Sequence, residues 1–253
     1  MKITLVQDSF KIDKNNLLKH IDIIKKYAEN SDIIIFPELS LNGYMLMDAV
    51  FEDAYNLEEL NEFKYLSKDC DILVGLALKD GYKIYNSAIY FSNGSIKTIH
   101  KKNFLPNYGM FEEGRYFFSG NEFNTFLVKD SKCMIAICED MWRAETISKI
   151  SESDIDILFV IANSPTRGFN DNYLDIDEKW SSILKATAIL SGCTVIFVNR
   201  VGFEDGIGFW GGSKIIDSNG KLITSFPYFD THIKTEVISL KQNEVQKYLR
   251  RLN

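Results

Sequence analysis

Apolar residues along this chain fall into two alternating rhythms. Short continuous runs closed by turn residues read as strands: ITLVQD (3–8), DIIIFP (32–37), DILVGLAL (71–78), IYNSAIYF (84–91) and IKTIHK (96–101) in the first half. KCMIAIC (132–138), DILFVIA (156–162) and TVIFVN (194–199) follow in the second half, and GGSKIIDSNGKLI (211–223) reads as a hairpin turning at Asn219–Gly220. Between them lie stretches with helical spacing. Leu17, Leu18, Ile21, Ile24 and Ala28 mark a helix over 13–29 with Asp13 as its cap, and further helices are predicted near 57–68, 142–152, 174–191 and from 241. Runs as apolar as DIIIFP suit strands covered on both faces. Strands and helices alternate without tandem repeats, low-complexity tracts or an evident linker, so one α/β domain spanning 1–253 is expected, with packed sheets and outer helices.

Composition narrows the function classes. With 45% hydrophobic and 25% charged residues, the chain has ample material for a core. A net charge of −6 argues against nucleic acid or an anionic membrane as partner. Lys25–Lys26, Lys101–Lys102 and Arg250–Arg251 are its basic pairs. No run approaches the ~20 apolar residues of a membrane-spanning helix, and MKITLVQDSF reads as a first strand rather than an export signal. Cys70, Cys133, Cys138 and Cys193 are too scattered for a disulfide framework and lack CxxC spacing, which points to a reducing, cytoplasmic setting. The three histidines form no metal-ligand spacing and there is no Walker loop or GxGxxG, so no cofactor is called for.

Three stretches place reactive side chains just after apolar strands, where α/β folds build their sites. In IIIFPELSLNGY, Glu38 follows a buried strand; a strand-end acid is by default solvated, but Pro37, Leu39 and Leu41 argue for apolar surroundings that suit a general base. In HKKNFLPNYGMFEEGRYF, a lysine is by default a surface charge, while Lys102, set between Ile99 and Leu105, is the one to be drawn inward, where a fixed cation serves a developing oxyanion. In MIAICEDMW, Cys138 ends its strand against polar residues, unlike the other three cysteines, which read as small core hydrophobes. Its acidic neighbours Glu139 and Asp140 should oppose a thiolate. Tyr44, Tyr108, Phe111, Trp142 and Trp210 are candidates to line a pocket, against a default of core or interface, and Ser164 and Arg167 are candidates for a polar or carboxylate end of a substrate.

Glu38 in FPELSLNGY, Lys102 in HKKNFLPNYG and Cys138 in ICEDMW resemble, in order and context, the Glu–Lys–Cys triad of the nitrilase superfamily of carbon–nitrogen hydrolases. The resemblance runs nearly the full length and takes in ANSP (162–165) and FWGGSKIIDSNG (209–220). It is greatest to the glutaminase domain of glutamine-dependent NAD synthetases, with LPNYG, ICED and an F-x-E-x-R-x-F pattern that aligns Glu113 with the family's second catalytic glutamate. The sequence ends at Asn253 with no synthetase domain, and SPTRGF is more compact than the corresponding glutaminase loop, so the expectation is an amide hydrolase that does not make NAD by itself.

The resemblance implies a four-layer α-β-β-α sandwich, with Cys138 on a strand-to-helix elbow as nucleophile, Glu38 as base, and Lys102 with the Glu139 backbone N–H as oxyanion donors. It places the Glu139 side chain away from the substrate and has Glu113 orient groups beside Lys102. The expected reaction converts a small linear amide to a carboxylate and ammonia through a thioester. A stand-alone glutaminase subunit feeding a separate synthetase, or a binding module that has lost turnover, are the alternatives. Subunits of this family commonly pair across a helical face. The stripe Trp180, Ile183, Leu184, Thr187 and Ala188 is wide enough to serve both its own sheet and a second copy, giving at least a homodimer, although one-sided core packing explains it equally.

Overall fold

The computed structural model describes residues 1–170 and 173–250, so Arg251 of the last basic pair lies outside the described residues. The first sheet takes β1 (Lys2–Gln7), β2 (Ile33–Ile35), β3 (Asp71–Asp80), β4 (Lys83–Ser92) and β5 (Ser95–Lys101). The second takes β6 (Thr125–Val128), β7 (Ser131–Ile137) and β8 (Ile157–Ala162). Past a two-stranded ribbon, β9 (Phe169–Asn170) and β10 (Tyr173–Leu174), it adds β11 (Thr194–Asn199). A second ribbon, β12 (Val201–Glu204) and β13 (Ile207–Trp210), precedes its last strands, β14 (Lys214–Ile216) and β15 (Leu222–Ser225). The final strand, β16 (His232–Val237), returns to the first sheet, giving the orders β16-β1-β2-β3-β4-β5 and β15-β14-β11-β8-β7-β6. In each sheet a parallel trio, β1-β2-β3 or β7-β8-β11, is flanked by antiparallel strands.

The sheets stack face to face through Ile3, Leu5, Ile35 and Leu73 on one side and Ile135, Ile137, Phe159 and Ile196 on the other. The outer face of the first sheet is covered by α1 (Asn16–Tyr27) and, past the one-turn helix α2 (Val50–Asp53), by α3 (Asn61–Leu66). Beyond a second one-turn helix, α4 (Glu113–Tyr116), the second sheet is covered by α5 (Ala144–Glu152) and α6 (Asp175–Ser191), and α7 (Lys241–Arg250) closes the described chain. Strands buried on both faces explain the unbroken apolar runs in the sequence. The result is the expected four-layer α-β-β-α sandwich.

On α6, Trp180, Leu184, Thr187 and Ala188 are fully buried and Ile183 is half-buried. Trp180 packs against Phe197 of β11 and Trp142, so the stripe is spent on its own sheet and is not free for a second copy. Ile189 and Leu190 stand exposed instead. Trp210 is likewise core, beside Phe197.

Topology brings the chemistry to one edge. With β5 parallel to β2 by way of β3 and β4, the residues after β2 and β5 leave the first sheet at the same end. Those after β7, β8 and β11 leave the second sheet together. Gly75 on β3 lets the turn after β2 settle against the sheet: a Cβ there would lie 2.5 Å from the Pro37 carbonyl and 2.8 Å from Glu38 Cα.

Candidate active site

Glu38 leaves β2 fully buried and accepts three hydrogen bonds. Lys102 Nζ and Asn86 Nδ2 each donate to Oε1 at 2.7 Å, and the Asn163 backbone N–H donates to Oε2 at 2.7 Å. Asn163 also donates through Nδ2 to the Glu38 carbonyl at 2.7 Å. A carboxylate has about four acceptor positions, so one remains for a proton from a neighbour.

Lys102, in the residue after β5, is 1% exposed. Its ammonium bridges Glu38 and Glu113, donating to Glu113 Oε1 at 2.8 Å. Burial works against its charge, but the two carboxylates outweigh burial and hold its pKa well above the ordinary lysine value. Of its three N–H donors, two are engaged here and one is left. The neighbouring Lys101 points the other way, to Asp80 at 2.7 Å and over the Tyr85 ring.

Glu113 opens α4 and also takes the Tyr44 hydroxyl on Oε1 at 2.6 Å. Its Oε2 is buried without a hydrogen-bond partner. Burial first, and then the nearby Glu38 charge, raise its carboxyl to about 7 against the pull of Lys102.

Cys138 sits where β7 breaks into a 3-10 turn, Cys138–Trp142, with φ of 43°, a left-handed conformation uncommon for a residue with a Cβ. Strain of this kind, held by its surroundings, is frequent at reacting centres. The thiol is half-buried, whereas Cys70 and Cys133 are buried, and burial raises both of their pKa values. For Cys138, burial first and the Glu38 charge second push the thiol well above its ordinary pKa, with Lys102 opposing. The resting group is therefore a protonated thiol, and any attack on a carbonyl needs a base to take its proton in the same step.

The acids after the cysteine are each tied down. Glu139 accepts from Tyr108 Oη on Oε2 at 2.7 Å and from Arg143 on Oε1 at 2.8 Å. Glu139 and its donor Tyr108 both line the pocket that Cys138 faces. Asp140 is fully buried and bonded to backbone on both sheets.

Cys138 opens on a compact cavity of ≈ 80 Å³. Tyr44, Tyr108, Phe111, Trp142, Ser164 and Arg167 line it together, although they come from four separate stretches of the chain. Ser164 Oγ accepts from Trp180 Nε1 at 2.9 Å, and Arg167 lies over the Phe111 ring. A larger cavity of ≈ 260 Å³ shares the Tyr44–Phe111 wall and borders Glu113. Among the described residues, no group of three or more His, Cys, Asp or Glu side chains is placed to hold a metal ion.

Two residues essential to this geometry are not singled out by sequence. Asn86 is a lone amide inside an apolar strand, the only cue to its pairing with Glu38, and Asn163 lies in ANSP, which does not by itself tell that its backbone N–H meets Glu38. Asn199 supports the same corner, accepting from the Ser164 N–H at 2.9 Å.

The carbon–nitrogen hydrolase family matches residues 3–247, and the chain belongs to it. The glutamine-dependent NAD(+) synthetase of Aquifex aeolicus is 31% identical over 98% of this chain, which spans 44% of that protein's length. A probable nitrilase of Schizosaccharomyces pombe is 28% identical over 83% of this chain and 77% of its own. Among solved structures, the glutamine-dependent NAD+ synthetase of Acinetobacter baumannii superposes with a TM-score of 0.81 at 28% identity, over 92% of this chain and 44% of that one. The amidase of Nesterenkonia sp. AN1, caught with acrylamide added to its active-site cysteine, shares the fold over 99% of both chains (TM-score 0.80, 18% identity).

Proposed function

We propose that the protein is an amidase that hydrolyses a small linear amide to a carboxylate and ammonia through a thioester on Cys138. The observation that carries this reading is the buried Glu38–Lys102–Glu113 chain of hydrogen bonds beside a strained, pocket-facing cysteine. In this reading Cys138 Sγ attacks the amide carbon while its proton passes to Glu38. The negative charge moves to the carbonyl oxygen, held by the remaining Lys102 N–H and the Glu139 backbone N–H; each such donor is typically worth ~3 kcal/mol in the transition state. Collapse expels ammonia with the proton from Glu38 and leaves the acyl thioester. Water then gives a proton to Glu38 and attacks the thioester, and the released thiolate takes that proton back. Glu113 and Tyr44 keep the Lys102 ammonium aimed between these steps.

One observation favours a glutaminase as the second, more specific reading. Glu139 and Arg167 line the same small cavity, and opposite charges there suit the ammonium and carboxylate of an amino-acid amide. Synthetases that use glutamine are also among the relatives. Ammonia would then pass to a separate synthetase. A binding module without turnover is the competing class.

Ammonia release from glutamine and a panel of simple amides, compared with Cys138→Ala, tests these readings together. Release from glutamine above all others supports the glutaminase, release from simple amides alone supports the broader amidase, and no release from any supports the binding module. We further infer a cytoplasmic protein, consistent with scattered cysteines that lack CxxC spacing, and a homodimer or larger homo-oligomer. No helix among the described residues is long and apolar enough to cross a membrane.

A further inference from the structure

Asp140, two residues past the nucleophile candidate, is fully buried and borders neither cavity at the site, so it is out of a substrate's reach. Its carboxylate accepts four hydrogen bonds. Oδ2 takes the Ile137 backbone N–H at 2.9 Å and His100 Nε2–H at 2.8 Å. Oδ1 takes the backbone N–H groups of Asn103 at 3.0 Å and Phe104 at 3.1 Å. Four donors fill the acceptor capacity of a carboxylate.

The identities of those donors matter more than their number. Ile137 is the last residue of β7 and immediately precedes Cys138, so its N–H fixes the entry to the strained elbow. His100 lies two residues before Lys102 on β5, and Asn103 and Phe104 directly follow it. One carboxylate thus holds the chain on both sides of the lysine and the residue just before the cysteine. The lysine leaves the first sheet and the cysteine the second. Such positioning has steep returns, since a displacement of ~1 Å at a reacting centre costs on the order of 10²-fold in rate.

We propose that Asp140 is a positioning residue that sets the distance between the Cys138 elbow and the Lys102 ammonium across the two sheets, with His100 as its side-chain partner. This rests on the reading of Cys138 as nucleophile and Lys102 as oxyanion donor. His100 is suited to the part: it is buried and stacked on Phe123 at 5.3 Å, so its ring is held in place.

Asp140→Asn is the direct test. An amide must set its NH2 against N–H donors on one side or the other, so the fourfold pattern cannot survive. The expected result is a fall of at least ~30-fold in kcat with KM within threefold of wild type, because the pocket walls make no bond to Asp140. Alkylation of Cys138 by iodoacetamide, followed by peptide mass spectrometry, should slow at least ~5-fold. That readout needs no substrate, so it decides the positioning claim even if none of the amides tested is hydrolysed. His100→Leu and His100→Gln form the second pair. The leucine variant should lose about 10-fold in kcat, whereas glutamine, which keeps a donor, should recover to within threefold. Wild-type kcat and alkylation in a folded Asp140→Asn variant would overturn the proposal, as would equal loss in the two His100 variants.

Discussion

Between Lys101 and Lys102 the chain makes a choice that decides the chemistry. One ends β5 and the other follows it, yet the first ammonium rests on Asp80 at the surface and the second is sealed between two carboxylates. An ammonium of fixed reach is not replaced by a guanidinium, whose fork is larger and planar. Lys102→Arg is therefore expected to lower kcat by at least ~10²-fold, while Lys101→Arg leaves it nearly unchanged; steady-state ammonia release measures both. Equal effects would mean that the buried ion chain is only structural. The same residue scale explains the acids that follow Cys138. Glu139 is held by Arg143 and Tyr108, and Asp140 by four donors, so both carboxylates are tied in hydrogen bonds beside the thiol. The thiol is kept protonated mainly by burial and by Glu38, the group positioned to receive its proton.

At the scale of elements, helix α1 brings a second consequence of burial. His20 is fully buried between Phe10 and Phe36, with Nδ1–H donating to the Asn16 carbonyl at 2.7 Å and Nε2 2.9 Å from Ser40 Oγ. Burial lowers its pKa from 6.5 to about 3. Between those values the unfolded chain binds a proton that the folded chain refuses, so stability from this group is complete above pH 6.5 and is lost as pH falls toward 3. Going from pH 6.5 to 5 should cost ~2 kcal/mol, or on the order of 4–8 °C in Tm for a chain of this size. Calorimetry of His20→Leu at pH 7 and pH 5 should show that drop reduced relative to wild type; an identical drop would assign the acid sensitivity elsewhere. Elements also show what sequence reading can and cannot reach. Glu38, Lys102 and Cys138 were legible because each follows a strand inside a local motif. Asn86, the Asn163 N–H and the four donors to Asp140 were not, since their pairings join residues from 36 to 125 positions apart or use backbone atoms. The α6 stripe had the right periodicity but an ambiguous partner, because periodicity marks a buried face without saying what buries it. The ribbons β9–β10 and β12–β13 were missed because segments of two to four residues carry too little pattern.

For the whole molecule, the sandwich turns two sets of strand ends toward each other, and the site exists only where they meet. Assembly is a separate question. With the α6 stripe consumed by the subunit's own core, any pairing must use what remains outside, and Ile189 and Leu190 near the end of α6 are both more than half exposed. Sedimentation equilibrium at micromolar concentration is expected to give at least twice the 29.1 kDa chain mass, and Leu190→Glu to shift it toward monomer. A monomeric wild type would remove the assembly proposal and leave the site untouched.

The central claim is that Cys138 carries the acyl group. Intact-protein mass spectrometry, after acid quench of the protein mixed with glutamine or another hydrolysed amide, reads this directly. The account predicts a mass increase equal to one acyl group, located on the peptide containing Cys138, present in wild type and absent, together with ammonia release, in Cys138→Ala. Ammonia release undiminished in Cys138→Ala, or an acyl adduct on Cys70, Cys133 or Cys193, would contradict it.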